Sequence, residues 1–98
     1  MRFGLTPEQY QYIHATVVAP LKNQGATVWI FGSRARGDHK EFSDLDLMVE
    51  SEKDVSSYIG NIQEILENGN FPYKVEIVQS KDFADSYRES FARDKVEL

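Results

Sequence analysis

A Gly-Ser turn followed by alternating leucines and aspartates constrains this chain more than any other stretch. Val28-Trp29-Ile30-Phe31 is an apolar run that ends at Gly32, the pattern of a buried strand entering a tight turn. Gly32-Ser33-Arg34-Ala35-Arg36-Gly37 follows. Glycine reaches backbone angles closed to other residues and lets a ligand approach the main chain. Ser33 is placed to cap the short turn, and free backbone N–H groups at such a turn attract phosphate. Arg34 and Arg36 add positive charge, so Gly32, Ser33 and Arg34 are the candidates for holding a phosphate-bearing ligand. In Ser43-Asp44-Leu45-Asp46-Leu47 the period of two predicts a strand with a leucine face and a carboxylate face. Two carboxylates on one face repel unless a cation lies between them, and hard oxygen ligands suit Mg²⁺. A phosphate turn and a Mg²⁺ pair in one short stretch imply a nucleoside triphosphate site.

The bulk composition narrows what surrounds such a site. Ninety-eight residues predict one domain spanning 1–98. Apolar residues make up 41% of the chain, with six Phe, five Tyr and one Trp, which suffices for a globular core. The absence of cysteine excludes disulfides, thiolate zinc sites and a cysteine nucleophile. No apolar stretch approaches the roughly 20 residues of a membrane span, and the N-terminus lacks a signal-peptide core, so a cytoplasmic protein is expected. A net charge of −5 argues against direct nucleic-acid binding, which needs clustered Lys and Arg to displace counterions. It suits a small-molecule site and a protein partner with a basic surface.

Along the chain, Thr6-Pro7-Glu8-Gln9 predicts a helix start with a capping box. Tyr10, Ile13, Val17 and Leu21 recur at helical spacing, Pro20 should kink or end that helix, and Gly25 should stop it. Strands are expected over 26–31, 44–50 and 73–79. Between the last two, Asp54 is expected to cap a helix with the apolar stripe Val55, Tyr58, Ile59, Ile62, Ile65 and Leu66, closed by Gly69. Ser80 is a candidate cap for a last helix carrying Phe83, Tyr87 and Phe91, with a short extended piece at 96–98.

The string Gly32-Ser33-Arg34-Ala35-Arg36-Gly37 with Ser43-Asp44-Leu45-Asp46-Leu47 resembles the signature of the DNA polymerase β-like nucleotidyltransferases, and in particular the minimal nucleotidyltransferase (MNT) domains. The resemblance covers most of the chain. It implies an α/β fold with a mixed sheet of three to four strands flanked by helices. It also implies transfer of a nucleoside monophosphate from a triphosphate to an acceptor, with carboxylates holding two Mg²⁺ ions and ATP as substrate. Many MNT proteins are antitoxins encoded beside HEPN-domain toxins, and some adenylylate a tyrosine of the toxin. A HEPN toxin in a hetero-oligomer is therefore the implied partner. The alternative is an antitoxin with a weak nucleotide site that blocks its toxin sterically.

Two-metal phosphoryl chemistry uses a further acidic ligand or base, and the resemblance points to Glu76 for it. In Lys74-Val75-Glu76-Ile77-Val78 the apolar residues share one face and Glu76 takes the other. The family usually has Asp here, so Glu76 is a departure. Asp44, Asp46 and Glu76 are thus the expected catalytic and metal-binding residues. Of Arg34 and Arg36, one is expected to be a surface or loop-anchoring residue, because consecutive even positions of a one-turn helix point apart. His39 and Lys40 read as residues of a solvated loop, with a γ-phosphate contact as the alternative for Lys40, His14 as packed or exposed, Trp29 as core, and Phe83, Tyr87 and Phe91 as a core stripe, part of it a candidate apolar patch for a partner.

Overall fold

Thr6 starts the first helix as its spacing predicts. Its hydroxyl accepts from the Gln9 N–H at 3.1 Å, the Gln9 side chain accepts from the Thr6 N–H at 2.9 Å, and Pro7 opens the first turn. The computed structural model describes residues 2–98, with Tyr87 described by its backbone alone. The first helical stretch comprises α1 (Pro7–Ile13), a π-helical turn (His14–Val18) and α2 (Ala19–Asn23). Pro20 therefore does not end the helix. The Ala19 N–H bonds back to the His14 carbonyl, widening the helix just ahead of the proline, and Pro20 enters α2 in its first turn. There a missing N–H leaves no ladder bond unmade. Gly25 adopts φ +84, with Gly25 N–H bonded to Lys22 O at 2.9 Å and Ala26 N–H to Leu21 O at 3.1 Å, a Schellman closure.

The remaining elements are β1 (Thr27–Phe31), α3 (Ser33–Arg36), β2 (Leu45–Glu50), α4 (Ser56–Asn68), β3 (Val75–Gln79), a 3₁₀ turn (Ser80–Asp82), α5 (Asp85–Asp94) and β4 (Val96–Glu97). The four strands form one sheet in the order β3-β2-β1-β4. β1 runs antiparallel to both β2 and β4, and β2 pairs parallel with β3. Strand alternation sends Val28, Ile30, Leu45, Leu47, Val49 and Val75 into a core shared with Ile13, Val17, Val18 and Leu21 of the first helical stretch. Val55, Ile59, Ile62 and Leu66 close the same core from α4. On the other face α5 lays Phe91 against Trp29 (6.3 Å between centroids) and Phe31 (5.6 Å), with Phe83 completing the cluster at 5.3–5.4 Å. These are edge-to-face pairs of the kind favoured by ring quadrupoles.

Several expected details shift. Ala26, Asp44 and Tyr73 fall just outside the strands, because each strand begins only where its neighbour starts to pair. Asp54 still binds the first turn of α4, accepting from the Ser56 N–H at 2.9 Å, although Val55 holds the cap position. Tyr58 and Ile65, placed in the apolar stripe, are 41% and 53% exposed, since the sheet covers only the Val55-Ile59-Ile62-Leu66 side. Ser80 opens a 3₁₀ turn instead of the last helix, which Ala84 precedes. Trp29 is half-buried under α5 and not in the main core. Of the Phe83-Tyr87-Phe91 stripe, Phe83 and Phe91 pack, while the Tyr87 side chain lies outside the described residues. Among the described residues no helix is long and apolar enough to cross a membrane.

Leu47 is fully buried at the centre of the core. Leu47→Ala should cost about 2–5 kcal/mol, a large part of the roughly 5–15 kcal/mol that a domain has. Ile65→Ala, on the exposed side of α4, should stay within about 0.5 kcal/mol. Urea denaturation of both variants checks this, and equal losses would contradict the facing of the two elements.

Candidate active site

The end of β1 and the start of β2 meet because the two strands are antiparallel, with Phe31 opposite Asp46. Gly32 leaves β1 with φ +79 and ψ −160, a conformation that side chains resist. A second reason requires glycine. A Cβ at this position would lie 2.5 Å from the Asp46 carboxylate oxygen, so the turn and the carboxylate are pressed together. Gly32 holds the cap position of α3 and Ser33 is its first residue, so Ser33 does not cap the turn, and no side chain caps it. The first N–H groups of the turn are therefore free of a capping side chain, as phosphate binding at a helix start requires. Gly37 closes α3 with φ +87.

Parallel pairing of β2 and β3 puts Glu76 in register with Asp46, which brings the third expected carboxylate onto the same face. Asp46, Glu76, Gly32, Ser33 and Arg36 line one cavity of about 620 Å³, walled on its apolar side by Phe31, Val78 and Phe83 and closed by Asp82, Ala84 and Ser90. Asp44 lies one residue before β2 and is exposed at its edge. Burial, then the neighbouring charges of Glu76 and Asp44, push the Asp46 carboxyl up to about 6, with Arg36 opposing. Three carboxylates thus share one region with too little positive charge to balance them, the condition that attracts a cation. Lys74 Nζ meets Glu76 at 3.3 Å, an exposed pair of small energetic weight.

Among the described residues no three carboxylates or imidazoles converge as a ready-made cation cage. That donor set fits Mg²⁺ arriving with a triphosphate. Mg²⁺ takes one or two protein carboxylates and completes its shell with phosphate oxygens and water.

The two arginines of the turn have separate fates. Arg36 faces the cavity and is held by Asp38 at 3.0 Å and by the buried Asp94 at 2.9 Å. Arg34, expected at the phosphate, is 1% exposed and lies outside the cavity lining. Its guanidinium donates to backbone carbonyls and sits 4.1 Å from the Tyr73 ring centroid. Of the loop residues, Lys40 is exposed, while His39 is half-buried against the turn at Gly4 with its Nδ1 unpartnered. His14 packs beside Tyr10. Sequence reasoning did not find Asp94, Asp82 or Ser90. Asp94 lies 58 positions from Arg36, and no local pattern connects them.

Comparison with known proteins agrees with this geometry. Residues 16–97 match the family model described as a nucleotidyltransferase domain. A curated relative from Haemophilus influenzae (strain ATCC 51907 / DSM 11121 / KW20 / Rd), named probable protein adenylyltransferase MntA, is 33% identical over 64 residues. That alignment spans 64% of this chain and 56% of the relative, so the chain covers little more than half the length of that protein. A solved structure described as a minimal nucleotidyltransferase superposes with a TM-score of 0.71 at 31% identity, covering 96% of this chain and 97% of the other. The four-stranded mixed sheet flanked by helices is the expected fold.

The raised Asp46 carboxyl carries a sign. Its folded value of about 6 exceeds the ordinary 3.8, so its contribution to stability is full below the unfolded value and is lost as pH rises through about 6. Asp46→Asn should therefore melt higher than the wild type near neutral pH, and the gap should close towards pH 4. Thermal denaturation across that range checks it, and a gap independent of pH would place the Asp46 carboxyl in a neutral environment. Gly32→Ala should lose about 1–3 kcal/mol through backbone strain and more through the clash with the Asp46 carboxylate, so in thermal denaturation Asp46→Ala should restore more stability in the Gly32→Ala background than in the wild type.

Proposed function

This chain belongs to the nucleotidyltransferase domain family, and from that premise we propose that it moves AMP from ATP to a hydroxyl of a partner protein. The acceptor in this reading is a tyrosine of a HEPN-type toxin encoded beside it, and the protein acts as a cytoplasmic antitoxin of one domain, residues 1–98. The carrying observation is the contact of the Gly32 turn with Asp46, with Glu76 in register beside it. A phosphate turn pressed onto a carboxylate is unfavourable unless a cation comes with the phosphate. The printed name of the Haemophilus influenzae relative, a probable protein adenylyltransferase, supports a protein acceptor. The likeness of the motif to MNT domains supplies the toxin class.

In this reading the free N–H groups of the turn at Gly32 and Ser33 hold the β- and γ-phosphates, and Arg36 balances charge on the same wall. The Phe31, Val78 and Phe83 wall receives the base. Asp44 and Asp46 are the residues that would hold Mg²⁺, with Glu76 as a further ligand or as base. Bound Mg²⁺ supplies neutralisation of the triphosphate and of the charge that develops on it. The acceptor oxygen bonds to the α-phosphorus, the bond to the bridging oxygen of the β-phosphate breaks, pyrophosphate leaves, and the hydroxyl proton passes to Glu76. The remaining contribution is positioning. AMP on a ribonuclease site adds negative charge and bulk where RNA phosphate must sit.

A steric antitoxin is the second reading, favoured by the Lys74–Glu76 pair, which occupies the expected third ligand. Intact-mass analysis of the toxin after incubation with this protein, Mg²⁺ and ATP separates the two. Transfer should add roughly 329 Da per AMP, and Asp44→Asn with Asp46→Asn should abolish it with the fold intact. Glu76→Gln should lower turnover far more than ATP affinity. A toxin neutralised with no mass change, and equally well by the double variant, would overturn the enzymatic reading.

A further inference from the structure

Arg34 is the largest fully buried side chain among the described residues, and among them it forms no ion pair with a carboxylate. A buried charge without a counter-ion persists only where hydrogen bonds and oriented dipoles replace water. The guanidinium supplies that compensation through the backbone. Nε donates to Ser43 O at 3.0 Å, Nη1 to Phe3 O at 2.9 Å, and Nη2 to Glu41 O at a longer 3.5 Å. The Tyr73 ring lies under Cζ at 4.1 Å, a cation–π contact strengthened by the lack of water. Gly4, with φ +73, closes the top, and a Cβ there would strike Arg34 and His39.

The consequence falls on Asp44. Its preceding carbonyl, Ser43 O, is held by Arg34. Its following amide, Leu45 N–H, is held by Lys74 O at 2.8 Å. The turn before it is locked by Ser43 N–H to Lys40 O at 3.1 Å and Lys40 N–H to Ser43 Oγ at 2.8 Å. Asp44 therefore carries an exposed carboxylate on a backbone pinned from both sides, although it lies outside β2. We propose that Arg34 is a positioning residue: it fixes the 41–43 loop so that Asp44 stands beside Asp46 ready to share a divalent cation. The inference rests on the active-site reading given above. Arginine is needed because its planar fork reaches several carbonyls at once while stacking on a ring, which a lysine ammonium cannot do.

The test uses Mn²⁺ as the probe, read by EPR in the presence of a non-hydrolysable ATP analogue, with amide exchange of residues 40–46 and thermal melting followed in parallel. Arg34→Lys should remain folded, speed exchange over that loop, and weaken Mn²⁺ affinity by about 10-fold or more, the usual effect of losing support behind a metal ligand. Binding of the analogue with EDTA present should not change. Tyr73→Leu, which keeps apolar bulk but removes the π-face, should move exchange and Mn²⁺ affinity the same way by less, and it decides the matter if Arg34→Lys does not fold. A folded Arg34→Lys, or failing that Tyr73→Leu, with wild-type exchange and wild-type Mn²⁺ affinity overturns the inference. If Asp44→Asn also leaves Mn²⁺ binding untouched, the active-site reading fails with it. If Asp44→Asn abolishes binding and the Arg34 and Tyr73 variants do not, only the positioning role fails.

Discussion

Antiparallel pairing of β1 with β2, Phe31 opposite Asp46, is the constraint on which the rest of the molecule depends. It carries the backbone of Gly32 onto the carboxylate of Asp46, so the Gly-Ser turn and the acidic strand form one object. A shift of one residue in this register would turn every side chain of β2 over. Leu45 and Leu47 would leave the core and the aspartate would enter it. The hydrophobic core therefore guards the geometry of the site, because burying Leu45, Leu47 and Val49 excludes the one-residue slip and keeps Asp46 on the face of Phe31.

On the second sheet face the cavity is built between the sheet and α5. α5 returns across β1 and packs Phe91 and Phe83 on Phe31. Its last residue, Asp94, reaches back to Arg36. That pair is partly screened, since Arg36 keeps 36% of its side chain in solvent while Asp94 keeps 4%. Its effect is directional: it holds the guanidinium at the cavity wall while Arg93 satisfies the other carboxylate oxygen. The Asp94 carboxyl is accordingly held below its ordinary range, first by Arg93 and then by Arg36. Residues 31–46 and residues 76–90 each contribute both apolar and charged groups to the cavity.

Charge is left unbalanced on the carboxylate side of the cavity. Asp46 carries a raised carboxyl because burial and two like charges outweigh Arg36. Arg34, buried without a carboxylate partner, shows the opposite solution, in which carbonyl dipoles and a ring disperse the charge. Such unbalanced groups are tolerated where function uses them.

The sequence alone was enough for the helices, the strands, the Gly-Ser turn and the carboxylate faces, because these rest on local rules. Period two places Leu45 and Leu47 opposite the aspartates, Thr6 and Gln9 form a capping box, and glycine marks Gly25 and Gly32. The motif Gly32–Gly37 with Asp44 and Asp46 also led to the family. Tertiary structure decided what local rules cannot reach. It set Glu76 level with Asp46 through a parallel pairing, and it divided the two arginines, burying Arg34 under the loop and leaving Arg36 to the cavity. It let the helix pass Pro20 by widening one turn, and it joined Asp94 to Arg36 across most of the chain. Each of these depends on which groups are shielded from water by distant residues, and that is settled only when the core closes.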